Sequence, residues 1–363
     1  MPRNPWNRIF NRKKDEKQDD KASPVSNNVI LLAPETQEDR NTGLTANPAV
    51  ASNPVTAEGE PEQVSPSDAS TSSAGMGADD EDYRGLFTFV KKGRDEAGMV
   101  DIVALHGLDG HYYKSWTTSS VKGGEVNWLK DMLPRRIKNA RVMSFGYNAN
   151  VQFSKSTSGI GDFVEGLLAD LMSCRTSNQE KSRPIIFICH SLGGIVFKQA
   201  LVRARERDRF TDLLKHIQGV AFFGTPHAGT SFADFGKVLA SISKVSTLGV
   251  NTNTNVVNDL RKNSKALYNI TQSFVDRSKA LRILTFYETE KMDYLSFEAV
   301  SRISAVLNLP NETVVPLDVN HVTMCKFSDS GAGKRTFNRV CGHLEEMVIE
   351  LREDEVPHAA SEF

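Results

Sequence analysis

The chain is predicted to fold as an α/β protein, a mostly parallel central sheet covered by helices on both faces. Three observations predict this. Short apolar segments alternate with amphipathic ones through residues 83–352, the rhythm of a parallel sheet with crossover helices. Residues 184–189 (PIIFIC) are apolar without interruption, as a parallel strand covered on both faces must be. That run leads directly into His190-Ser191-Leu192-Gly193-Gly194 and then into a helical pattern.

The elements follow in order. Residues 13–82 are rich in Asp, Glu, Ser, Pro, Asn and Thr, with almost no aromatics. They cannot bury enough apolar surface to offset their ordering entropy, so residues 1–82 are expected to be disordered. The opening MPRNPWNRIFNRKK is basic, and Trp6, Ile9 and Phe10 could share one helical face. A targeting or membrane-surface element is one reading of it and a plain disordered start is the other. Residues 86–90 (LFTFV) read as an edge strand, and residues 100–105 (VDIVAL) as a more apolar one ending at His106-Gly107. Trp128, Leu129, Met132 and Leu133 lie at helical spacing, and Pro134 is expected to end that helix. Residues 141–145 (RVMSF) form the next strand. Phe163, Leu167, Leu168 and Leu171 mark a helix, and residues 193–205 another. Residues 219–223 (GVAFF), 282–287 (RILTFY) and 313–317 (TVVPL) are further strands. A helix over 337–351 closes the domain at 352, and residues 353–363 are expected to be a disordered tail. The interval 230–279 interrupts the rhythm with a helical insertion, marked by Phe232, Phe235, Val238, Leu239 and Ile242. A lid before the acid-bearing strand and two ordinary packing helices both fit it.

Composition narrows the function classes. Lys and Arg number 44 against 45 Asp and Glu, a net charge of −1, which argues against a nucleic-acid partner. The four cysteines, Cys174, Cys189, Cys325 and Cys341, match no metal site or disulfide framework and read as free thiols in a reducing, intracellular compartment. The sequons at Asn269 and Asn311 are then chance matches, since no secretory signal accompanies them. No apolar run is long enough to span a bilayer. The run Gly331-Ala332-Gly333-Lys334 is not a phosphate loop, because Ser328 and Arg335 stand where that motif needs Gly and Ser or Thr. No nucleotide partner is expected.

The segment around Ser191 has the strand–turn–helix context of a nucleophile elbow. Such a turn holds its nucleophile in strained backbone, so the residues two before and two after must be small. Gly193 meets that need, while Cys189 replaces the usual first glycine. A serine hydroxyl needs an adjacent base, and in the α/β-hydrolase order the base follows the acid late in the chain. His321 fits: it follows TVVPL on a loop and precedes the last helix. Glu288, Glu290, Asp293, Glu298 and Asp318 are candidate acids. Glu288, at the carboxyl end of RILTFY, is preferred, with Asp318 the runner-up. Backbone N–H groups of Leu192 and of Leu108, in the loop LHGLDG (105–110), are the candidate oxyanion donors, and His106 is expected to hold that loop's shape. This chemistry requires no metal and no cofactor.

HGLDGH…SW (106–116), NWLKDMLP (127–134), FICHSLGGIVFKQAL (187–201), FFGTPHAGTSFADFG (222–236) and NHVTMCKF (320–327) together resemble the serine-active-site-containing proteins, in the lipase/serine esterase group of the α/β-hydrolases. The resemblance covers about residues 83–351. It implies Ser191 as nucleophile, His321 as base, Glu288 as acid, and a structural rather than catalytic His227 in the GTPHAG loop. It also implies a lipid or acyl-ester substrate, a part in phospholipid remodelling, peripheral membrane association and a mitochondrial or endoplasmic-reticulum address, with the cytoplasm as the alternative. A non-catalytic binding or signalling module on the same fold, and a protein thioesterase, are the competing functions.

Overall fold

The computed structural model of the chain describes residues 83–90, 98–149, 157–227, 232–246, 254–292 and 298–355. The disorder expected of residues 1–82, the candidate acid Asp293, and residues 356–363 lie outside them. Strands β1 (Gly85–Val90), β2 (Val100–Leu105), β3 (Thr117–Ser119), β4 (Glu125–Asn127), β5 (Ala140–Gly146), β6 (Ile185–His190), β7 (Ile217–Phe223), β8 (Arg282–Glu288) and β9 (Glu312–Leu317) follow in order. The helices are α1 (Leu133–Arg136), α2 (Thr157–Ser173), α3 (Asn178–Ser182), α4 (Gly193–Arg205), α5 (Thr211–His216), α6 (Phe232–Ser246), α7 (Thr254–Arg277), α8 (Arg302–Ala305) and α9 (Gly331–Glu355).

Seven strands form one sheet in the order β1-β5-β2-β6-β7-β8-β9, while β3 and β4 make a separate small hairpin. All neighbours in the large sheet are parallel except edge strand β1, which runs antiparallel to β5. This is the α/β-hydrolase arrangement.

The uninterrupted apolar strands have two apolar faces to cover. Side chains alternate along a strand, so Val103, Leu105, Phe187, Cys189, Val220 and Phe222 face one side, against α2, α4, α6 and α7. Ile102, Ala104, Ile186, Ile188, Ala221 and Phe223 face the other, against α9 and the Trp128 turn. Burying each large apolar side chain contributes about 1.5–3 kcal/mol, so β2, β6 and β7 anchor the sheet. A parallel sheet gathers its carboxyl ends on one side, and the loops after β2, β6, β8 and β9 therefore meet there.

Two local expectations change, and the helical interval 230–279 is seen to pack on the core. Pro134 does not end a helix. Residues Trp128–Met132 form a wide turn, and Pro134 sits in the first turn of α1, where its missing N–H costs nothing. Helix α9 starts at Gly331 and runs to Glu355, so residues 353–355 are helical rather than tail. No breaker stands between Leu351 and Glu355; the next proline is Pro357. In the 230–279 interval, Phe235, Leu239, Ile242, Leu267 and Phe274 are buried in the same core as the sheet. Helices α6 and α7 pack on each other and α7 lies along α4. The far end of α6 reaches the functional cleft at Val245.

Candidate active site

Between β6 and α4 the chain turns sharply at Ser191, whose φ is +53°. A non-glycine residue there costs of order 1–3 kcal/mol and persists only if its surroundings over-determine it. They do. The Ser191 N–H donates to Phe223 O at 2.8 Å, and Ser191 O accepts from Thr225 Oγ1 at 3.0 Å and from the Gly194 N–H at 3.1 Å. The turn is also tight: a Cβ on Gly193 would lie 2.4 Å from Leu105 O. Cys189, which replaces the usual glycine, points into the core between Leu105 and Phe222, so the turn forms without that glycine.

His321 follows β9. The Asn320 side chain accepts from the N–H groups of Val322 (3.1 Å) and Thr323 (3.0 Å), which fixes the turn that presents the imidazole. Its Nε2 lies 2.9 Å from Ser191 Oγ, and its Nδ1 lies 2.6 Å from Glu288 Oε2. Glu288 is the last residue of β8 and is buried, its other oxygen accepting from the Val300 N–H at 2.9 Å. A carboxylate only accepts, so Nδ1 carries the proton, leaving Nε2 bare to accept from the serine hydroxyl. The structure therefore joins Ser191, His321 and Glu288 in one hydrogen-bonded chain. Asp318, the runner-up acid, is exposed and accepts from Thr289 Oγ1 at 3.1 Å instead. Glu290 is also exposed.

The loop after β2 covers Ser191 from the other side. A Cβ on Gly107 would lie 2.8 Å from Ser191 Cβ, so only glycine fits. Leu108 follows it, and Leu192 stands at the N-terminus of α4, where first-turn N–H groups lack intrahelical acceptors. His106 is fully buried. Its Nδ1 donates to Gly107 O at 2.9 Å, its ring stacks on Tyr147 at 4.2 Å, and Tyr147 Oη donates to His106 O. Burial pushes the His106 pKa down to about 4, so the ring is neutral and structural. His227 is fully buried and its pKa is pushed well down by burial; it packs edge-on against Phe222, 4.5 Å away.

Sequence reasoning missed His190. Its Nε2 donates to the His321 backbone carbonyl at 2.9 Å, with the two rings 5.1 Å apart. Burial first, then the neighbouring His321, push its pKa down to about 3, so it is a neutral donor bracing the His321 backbone. Val300 was missed as well, because nothing local in sequence ties its N–H to Glu288. The cleft over Ser191 has a volume of about 310 Å³ and is walled in part by Leu108, Val245 and Val322. Among the described residues no three His, Cys, Asp or Glu side chains converge to hold a metal ion, and no helix is long and apolar enough to cross a membrane.

Comparison with known proteins adds family context. The family described as "Putative serine esterase (DUF676)" matches residues 100–325. Protein SERAC1 of Mus musculus is 25% identical over 269 residues, covering 68% of this chain and 39% of that protein. Protein SERAC1 of Homo sapiens is 23% identical over 249 residues, covering 62% and 36%. The chain thus spans less than half the length of these curated relatives. Among solved structures, the mature Bacillus licheniformis lipase BlEst2 is 18% identical, with a TM-score of 0.46 over 72% of this chain and 97% of that one.

Proposed function

Because the chain belongs to this serine esterase family, we propose that it cleaves or transfers acyl esters with Ser191 as nucleophile, His321 as base and Glu288 as acid. The observation that carries the reading is the chain of contacts from Glu288 through His321 to Ser191, at 2.6 and 2.9 Å.

The chemistry follows from those contacts. Ser191 Oγ attacks the acyl carbonyl as His321 Nε2 takes its proton. Glu288 holds the imidazole in the competent tautomer and stabilises the cation that forms. The carbonyl oxygen becomes an oxyanion, for which the Leu108 and Leu192 N–H groups are the proposed donors. Collapse expels the alcohol, which leaves with the proton from His321. Water or an acceptor alcohol then attacks the acyl-serine with its proton going to His321, and the serine is restored. The neutral, braced His190 keeps the His321 carbonyl in place through both half-reactions.

A lipid-like acyl ester is the proposed substrate class. The apolar wall of Leu108, Val245 and Val322 supports it. The resemblance to serine-active-site-containing proteins supports phospholipid remodelling, peripheral membrane association and a mitochondrial or endoplasmic-reticulum address. The test is labelling with a fluorophosphonate probe, together with hydrolysis of p-nitrophenyl esters of graded chain length. Wild type should label and turn over, and Ser191→Ala should do neither. Equal labelling of the two proteins would overturn the assignment of the nucleophile.

A further inference from the structure

The cleft in front of Ser191 is lined by two lysines. Lys114, exposed, and Lys326, part-buried, both line it, from two segments far apart in sequence. Lys326 Nζ donates to Lys114 O at 3.1 Å and to Thr117 O at 3.3 Å, which seats its ammonium on the turn that carries Lys114. Carbonyls satisfy an ammonium's hydrogen bonds but do not cancel its charge. Among the described residues neither lysine forms an ion pair. Elsewhere on the molecule, Arg136, Arg203 and Arg282 each have a carboxylate within 2.8 Å. Asp109 is the single acid among the described lining residues, and His190, which also lines the cleft, is neutral. Among the described lining residues two ammonium groups thus face one carboxylate, with the Glu288 carboxylate buried behind His321.

A neutral ester gains nothing from these ammonium groups, whereas an anion exchanges part of its hydration for two charged donors, one of them, Lys326, held in place. The attraction is local to the two lysines and is screened by salt. A volume of about 310 Å³ lies at the small end of ligand clefts, so only the reacting end of a substrate is held near these charges. Resting on the reading of Ser191 as an ester nucleophile, we infer that the ester it takes carries an anionic group, a carboxylate, sulfonate or phosphate, seated against the ammonium groups of Lys114 and Lys326.

The experiment compares esters matched except for charge. One pair is p-nitrophenyl butyrate and p-nitrophenyl 4-sulfobutanoate, with the anion on the acyl side. The other is phenyl butyrate and 4-butyryloxybenzenesulfonate, with the anion on the leaving side. Each kcat/KM is divided by that ester's rate with hydroxide. In at least one pair the anionic member should be favoured roughly fivefold to tenfold at low salt, the size expected of two part-exposed cations. The preference should shrink in 0.5 M NaCl. Lys114→Met and Lys326→Met should each lower it, and Lys326→Arg should retain it. Lys114 is exposed and its ammonium holds no other element, so its variant reports on charge even if Lys326→Met fails to fold. A preference at or below one in both pairs, or one that ignores Lys114→Met, overturns the inference. If no ester is turned over and the fluorophosphonate fails to label wild type, the esterase reading itself has failed. Labelled wild type that is indifferent to charge refutes the anionic substrate alone.

Discussion

Replacing Glu288 with glutamine should cripple turnover while leaving the fold in place. The two carboxylate oxygens have different partners: Oε1 accepts from the Val300 N–H at 2.9 Å, and Oε2 faces His321 Nδ1 at 2.6 Å. A glutamine must keep its carbonyl oxygen on Val300, because its amide nitrogen cannot accept that N–H. The NH₂ group then points at His321 Nδ1, which can meet it only as an unprotonated acceptor. The imidazole proton moves to Nε2, 2.9 Å from Ser191 Oγ, and the ring can no longer take the serine's proton. An acid-to-amide change of this kind, which traps the wrong tautomer, costs about 10³–10⁴ in kcat, or about 4–5.5 kcal/mol at 1.36 kcal/mol per decade. The shape and the Val300 hydrogen bond survive, so unfolding in urea should shift by no more than about 1 kcal/mol. The assay is p-nitrophenyl butyrate hydrolysis, with Asp318→Asn alongside. Asp318 bonds to Thr289, outside the chain of contacts, so its variant should stay within about twofold of wild type. Retention of more than a tenth of wild-type kcat by Glu288→Gln, or an equal loss in Asp318→Asn, would refute the reasoning.

Further expectations concern the groups around the site. His190→Phe removes the donor on the His321 carbonyl and should lower kcat roughly tenfold to hundredfold with KM little changed, the cost of a base that drifts by a fraction of an ångström. His190→Gln, which restores an N–H at about the Nε2 position, should recover part of that loss, and full kcat in the Phe variant would exclude a bracing role. Acid should destabilise the fold through buried neutral histidines. The His106 pKa falls from 6.5 to about 4 on folding, so its contribution is complete above pH 6.5 and is lost as pH drops toward 4. At pH 5 the loss is about 2 kcal/mol at 1.36 kcal/mol per unit, with His190 acting in the same direction. Urea titrations at pH 7.5 and 5.0 measure it, and undiminished stability at pH 5.0 would contradict the burial argument. Lys198 is fully buried, its Nζ donating to Pro226 O (3.3 Å) and Thr271 Oγ1 (3.2 Å), and burial drives its pKa well down. Between that lowered value and 10.5 the unfolded chain binds more protons, so wild-type stability should rise with pH across this window. Lys198→Met should flatten the rise, and parallel pH profiles for the two proteins would count against a destabilised buried amine.

What could be read from sequence, and what could not, divides along the reach of the interactions. The fold was legible because PIIFIC and VDIVAL carry apolar residues at both parities, and only a sheet covered on two sides buries both. Ser191 was legible because its turn is built from adjacent residues. Bracing by His190 was not, since the carbonyl it holds is 131 residues away. Which of Glu288 and Asp318 meets His321 lies between these cases, and the pleat decides it. Leu284 and Phe286 point to the α9 side of the sheet, together with Val315, Leu317 and Met324. Glu288 shares the parity of Leu284 and Phe286, so its carboxylate emerges on the side where Met324 and the His321 loop pack. In the β8–β9 register Glu288 stands opposite Leu317. Asp318 is the next residue along and has the other parity, which carries its side chain out to solvent and Thr289. Both carboxylates stand at strand ends, so proximity to the end cannot separate them. Parity can, once a strand's two neighbours of known burial fix which face is which. A carboxylate at the end of β8 must share that face with Phe286 to reach a histidine delivered by the loop after β9.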